Sequence, residues 1–108
     1  MADTIKNLGQ VMPAASVLTV LVTAAGNGDM VSSVWACNQS STQSAKIRIS
    51  NPIAGAADAQ LQYLVYDATL QPNESRAFVN GITLAATDLL KVLSDTGLVS
   101  FNAYGAQT

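Results

Sequence analysis

AKIRIS, residues 45–50, alternates without interruption. In an extended chain Ile47 and Ile49 fall on one face and Lys46 and Arg48 on the other, because successive strand side chains point to opposite sides. A helix would repeat its apolar residues every three or four positions instead. Asn51-Pro52 ends the run, since proline has no N–H to offer a ladder. The segment reads as a half-buried strand, with one face in a core and the other on a surface.

The neighbouring segments extend this reading in both directions. Upstream, SVLTVLVT (16–23) and MVSSVWACN (30–38) are rich in β-branched residues, with a turn at AAGNGD (24–29) between them. The polar run QSSTQS (39–44) leads into AKIRIS. Downstream, IAGAADA (53–59) is a small-residue loop, QLQYLVYDA (60–68) a strand and QPNES (71–75) a corner. RAFVN (76–80) continues the chain to Gly81 and ITLAATD, where AATDLL (85–90) fits one helical turn. LLKVLS (89–94) and LVSFNAY (98–104) predict a hairpin about Asp95-Thr96-Gly97, with Val99, Phe101 and Ala103 sharing a face. Seven to eight short strands and no long helical pattern predict an all-β fold, a small antiparallel β-sandwich or jelly roll. The 108 residues suffice for one domain. We read residues 1–14 as an N-terminal arm or edge strand and residues 15–108 as a single β-sandwich domain.

QPNES raises the question of attachment. Asn73-Glu74-Ser75 and Asn38-Gln39-Ser40 match the glycosylation triplet, which matters in a secreted chain. MADTIKNLGQ lacks the apolar segment of a signal peptide, so a corner is the better reading. Pro72 suits the second position of a type I turn, Asn73 tolerates the third, and Ser75 can bond back to the backbone.

Charged residues make up 11% of the chain, against roughly 25% in ordinary domains. A water-covered surface is normally rich in Lys, Glu, Asp and Arg, whereas interface cores are depleted in them. Such an exterior suits a subunit covered by neighbours. The basic residues do not cluster beyond Lys46 and Arg48, which argues against nucleic-acid binding. The longest apolar stretch, residues 14–25, is too short to span a membrane as a helix.

The chain contains no histidine, which removes the commonest general base and metal ligand and every Ser-His or Cys-His nucleophile. Asp67, Glu74 and Asp88 are the available carboxylates for acid–base work, but each falls at an expected strand end or turn, where such residues act as solvated caps. Asn27 and Asp29 lack the spacing of a calcium loop. Cys37, two residues after Trp35 on the same strand face, reads as a buried thiol acting as a small hydrophobe. Tyr63 and Tyr66 fall on opposite faces of an ideal strand, which argues against a row of sugar-stacking aromatics. No catalytic, cofactor-binding or metal-binding residue is expected, and no cofactor.

The features Cys37-Asn38, Tyr66-Asp67, Leu70-x-Pro72-Asn73, Ile82-Thr83-Leu84-Ala85, Asp88 and Val99-Ser100-Phe101-Asn102 with Gly105 form a pattern over nearly the whole chain. In these features the sequence resembles small accessory virion proteins of tailed bacteriophages. The resemblance implies a structural role without shared catalytic residues. The expected function is a non-enzymatic capsid decoration or cement protein that binds and stabilises the major capsid shell as an oligomer. Its expected partners are the major capsid protein and copies of itself, as a trimer, with no nucleic acid and no membrane. Its expected location is the virion, on the head surface ahead of the tail, after assembly in the host cytoplasm. The alternatives are a tail or fibre-base subunit and a free carbohydrate-binding or adhesion module. Within the N-terminal arm, Thr4, Ile5, Lys6, Asn7 and Leu8 are the candidate protein-contact residues.

Overall fold

The computed structural model describes residues 4–24, 28–53, 57 and 59–107. Among them are eight strands: β1 (Thr4–Val11), β2 (Thr19–Thr23), β3 (Asp29–Asn38), β4 (Ala45–Ser50), β5 (Tyr63–Leu70), β6 (Ser75–Leu84), β7 (Leu89–Ser94) and β8 (Val99–Gln107). They form two four-stranded sheets, ordered β1-β8-β3-β6 and β2-β7-β4-β5, and every pairing is antiparallel. The fold is the expected small all-β sandwich.

Alternation builds the core. Ile47 and Ile49 of β4 face inward, as do Val34 and Ala36 of β3, Leu90 and Val92 of β7, and Val99, Phe101 and Ala103 of β8; all are fully buried or nearly so. Each large aliphatic removed from water contributes about 1.5–3 kcal/mol. Phe101 is the large aromatic among these fully buried side chains, so the interior is aliphatic. Where the two sheets close, β1 runs against β2. Gly9 makes this possible, since a Cβ there would strike the carbonyl oxygen of Leu21. On the opposite side β5 and β6, the two outer strands, part from one another. There Arg76 of β6 donates from Nη2 to the Thr69 carbonyl of β5 at 3.1 Å.

Several expectations change in the folded chain. LLKVLS and LVSFNAY do not form a hairpin: β7 lies in one sheet and β8 in the other, and residues 95–98 cross between them. Turn chemistry closes that crossing, with Thr96 N–H donating to Ser94 Oγ and Leu98 N–H to Thr96 Oγ1. RAFVN and ITL are parts of one continuous strand, β6, through Gly81. Residues 60–62 are a 3-10 turn ahead of the strand that was expected to begin there. Residues 25–27 of the AAGNGD turn, and 54–56 and 58 of the small-residue loop, lie outside the described residues.

The corner at QPNES is a turn of a different kind from the one expected. Glu74 N–H donates to Gln71 O at 3.0 Å, and Asn73 sits at φ 60° in the third position. Type I turns keep that residue at negative φ, whereas type II turns require the positive value. Asparagine reaches it at small cost. Glu74, not Ser75, bonds back: its Oε1 accepts from Gln71 N–H at 2.7 Å. AATD repeats the design in place of a helical turn. Asp88 N–H donates to Ala85 O, Asp88 Oδ2 accepts from Ala85 N–H, both at 3.0 Å, and Thr87 takes φ 72°.

Candidate functional site

The outer faces of the two sheets differ in chemistry. On the β1-β8-β3-β6 sheet, Met30 and Trp35 of β3 and Tyr104 of β8 point outward and remain about half exposed. Cys37 shares this face and is half-buried, not the interior thiol expected, because it follows Trp35 in the same phase of β3. The face is completed by neutral amides: Asn7 Nδ2 and Gln10 Nε2 both donate to Asn102 Oδ1, at 3.3 and 2.7 Å. Among the described side chains pointing outward from β3, β6 and β8, none is charged; exposed Lys6 borders the face on β1.

The proposed arm residues lie along this border. Thr4–Val11 is an edge strand paired with β8, with Thr4 opposite Gln107 and Lys6 opposite Gly105. Leu8 sits at a register shift between Asn7 and Gly9 and packs against the core. Asn7 is tied to Asn102, and the side chains of Thr4 and Ile5 lie outside the described set.

The opposite face, on the second sheet, carries Lys46 and Arg48 and a cluster that an ideal strand would not assemble. Strand β5 has two irregularities against β4. Ser50 pairs with Tyr63 while Ile49 pairs with Val65, so Leu64 is extra; Ile47 pairs with Ala68, so Tyr66 and Asp67 together oppose Arg48. Each bulge shifts the phase of the strand. Tyr63 and Tyr66 therefore come together, with ring centroids 5.2 Å apart and edge to face. The Arg48 guanidinium lies 4.1 Å from the Tyr66 centroid and 5.8 Å from that of Tyr63. Asp67, at φ 54° within the strand, receives Arg48 Nε at Oδ1 (2.7 Å) and Nη2 at Oδ2 (3.3 Å).

The carboxylates considered for acid–base chemistry are separately engaged. The hydrogen bond from Arg48, reinforced by the charges of Arg48 and Lys46, holds the Asp67 carboxyl below the usual carboxylate range. The same bond makes Arg48 harder to deprotonate. The Gln71 N–H, and then Arg76 at 3.2 Å, lower Glu74 likewise. Asp88 is buried and closes its turn, so it is not the solvated cap expected. Asp29 is buried too, with Oδ1 lacking a hydrogen-bond partner, and Asn27 lies outside the described residues. No group of three or more His, Cys, Asp or Glu able to hold a metal occurs among the described residues.

A third feature is the cleft of about 550 Å³ where β5 and β6 part, lined by Val34, Ile49, Leu64, Val65, Phe78 and Ile82 among others. It is apolar and opens directly onto the core. No helix among the described residues is long and apolar enough to cross a membrane. No protein-family model, curated protein or solved structure matches the chain.

Proposed function

We propose that this chain is a non-enzymatic structural subunit of a tailed-bacteriophage particle, a decoration protein that binds the major capsid shell as an oligomer. The observation that carries this reading is the uncharged outer face bearing Trp35, Met30 and Tyr104. Aromatic residues and Met are enriched in protein interfaces, while Lys, Glu and Asp are depleted. Trp and Tyr are frequent interface hot spots. The amides of Asn7, Gln10 and Asn102 are neutral and joined to one another across β1 and β8, so a partner can cover them without burying a charge. Binding at many equivalent sites would strengthen each weak contact through effective concentration. The phage resemblance of the sequence motifs points the same way.

Electron microscopy of particles assembled with the wild-type chain, and with Trp35→Glu, tests the reading. Wild type is expected to add regular density to the outside of the head, and Trp35→Glu to leave the head bare. Density confined to the tail, or unchanged head density with Trp35→Glu, would overturn the assignment of this face to the shell.

A further inference from the structure

We propose that β6 is a dimerisation edge. Two copies of this chain join by pairing their β6 strands antiparallel about a two-fold axis at Asn80, which extends β1-β8-β3-β6 into one eight-stranded sheet. The contact lies at the side of the sandwich and does not rest on the decoration reading.

The outer strands are not equally protected. An unpaired edge is a template for another strand, and folded proteins blunt it with charge, short length, covering elements or bulges. β1 and β2 run against one another where the sandwich closes. β1 also carries Lys6 and an extra residue at Leu8, and β2 is five residues long. β5 has two bulges, with Asp67 at φ 54° in one of them. β6 runs for ten residues, and none of residues 77–84 is charged or proline. Its register against β3 shifts between Val79 and Ile82, yet its inward residues, Phe78, Ile82 and Leu84, keep even spacing, so its own alternation is unbroken. It pairs with β3 alone, and no turn or loop backbone hydrogen bond among the described residues reaches it.

The order of residues in β6 suits a second copy of itself. Directly opposite residues of an antiparallel pair share a face. With the axis at Asn80, inward Phe78 meets the partner's Ile82, an aromatic–β-branched pair, and outward Ala77 meets the partner's Thr83. Phe78 and Ile82 both line the apolar cleft beside β5, and so does exposed Leu64 on its other wall, so the second copy covers apolar surface as well as backbone. The two Arg76 side chains fall about 27 Å apart along the seam, well beyond a Debye length. An axis at Val79 would instead set Arg76 against the partner's apolar Ile82. The seam is about 30 Å long and, across two layers of side chains, about 20 Å deep. That is roughly 600 Å2 from each copy, the lower end of a stable interface. The axis stands perpendicular to the sheet, so both uncharged faces look the same way and form one wider surface.

Sedimentation velocity on the full chain at high micromolar concentration tests this. The wild type is expected to sediment as a dimer. Ala77 and Thr83 are exposed, so charges there leave the core intact. Ala77→Lys with Thr83→Lys sets like charges directly opposite one another twice by symmetry, and should weaken the dimer about tenfold or more. Ala77→Glu with Thr83→Lys sets opposite charges there and should keep it. Trp35→Glu, on the face and away from the seam, should leave the dimer intact while removing head density, so the two readings fail separately. A wild-type monomer or trimer, equal dimerisation of the two double variants, or loss of the dimer with Trp35→Glu would overturn the β6 seam.

Discussion

Replacing Asn38 by Asp should cost this domain a large part of its stability, by an amount that depends on pH. Asn38 ends β3 and is fully buried. Its Nδ2 donates to the carbonyl oxygens of Gln43 (2.8 Å), Leu70 (3.3 Å) and Gln71 (3.2 Å), and its Oδ1 accepts from Ser40 N–H at 3.1 Å. One amide thus ties β3 to the loop before β4 and to the end of β5 at the corner. An ionised carboxylate would keep the Ser40 bond but aim a second negative oxygen at three carbonyls. A buried carbonyl left unsatisfied costs about 1–3 kcal/mol, which applies in full to the buried Leu70 bond and less to the partly buried Gln43 and Gln71 bonds. With some relaxation, a total of about 3–5 kcal/mol is expected at neutral pH, against the roughly 5–15 kcal/mol of a typical domain. The introduced acid is held in the folded state above its unfolded value near 3.9. The penalty of ionising it is therefore absent below about pH 4, grows as pH rises through the raised folded value, and is complete above it. Wild type has the opposite slope, since Asp67 and Glu74 have depressed values and their contributions fade as acid protonates them. The informative quantity is accordingly the difference between the two proteins. Urea unfolding followed by circular dichroism at pH 7 and pH 4 measures it, with Asn38→Ala as a comparator whose deficit contains no new titration. A variant within 1 kcal/mol of wild type at pH 7, or a deficit that does not shrink at pH 4, would refute the role assigned to this amide.

Two further substitutions address the backbone. Thr87→Asn should stabilise the protein by about 1 kcal/mol and raise Tm by roughly 4–8 °C, because a β-branched residue at φ 72° is strained where Asn is tolerated; an unchanged or lowered melting temperature would count against strain at that turn. Gly9→Ala should destabilise it by about 1–3 kcal/mol in thermal or urea unfolding, because the new methyl meets the Leu21 carbonyl where the two sheets close; wild-type stability would mean that the closed side can open freely.

The contrast between β4 and β5 explains how much was legible in the sequence. In β4 the period of two is preserved from Lys46 to Ile49, and local pattern alone assigns both faces correctly. In β5 the inward residues are Val65, Ala68 and Leu70, separated by three and then two positions. That three-residue step was the available signal for a bulge between Val65 and Ala68. It was obscured by apolar Leu64 and by the absence of glycine, the usual mark of a left-handed residue in a strand. Asp67 takes that conformation without advertising it. In consequence the two tyrosines, which ideal alternation would put on opposite faces, stand together around Arg48.

The hairpin expected around Asp95-Thr96-Gly97 failed for a different reason. The local turn exists, held by Ser94 and Thr96 side chains, but turn residues specify only that the chain reverses or changes course. Whether β8 returns to β7 or crosses to β3 depends on partners dozens of residues away. Asn38 shows the same limit from the other side. Nothing in CNQSSTQS distinguishes a buried amide that bonds three segments from any loop asparagine, because its acceptors at Leu70 and Gln71 are brought near only by the completed sandwich. Period-two patterning is a local property and determines which residues are buried. The choice of sheet, the bulges and the polar ties depend on distant contacts, and in this protein those contacts also assemble the Arg48–Tyr66 surface.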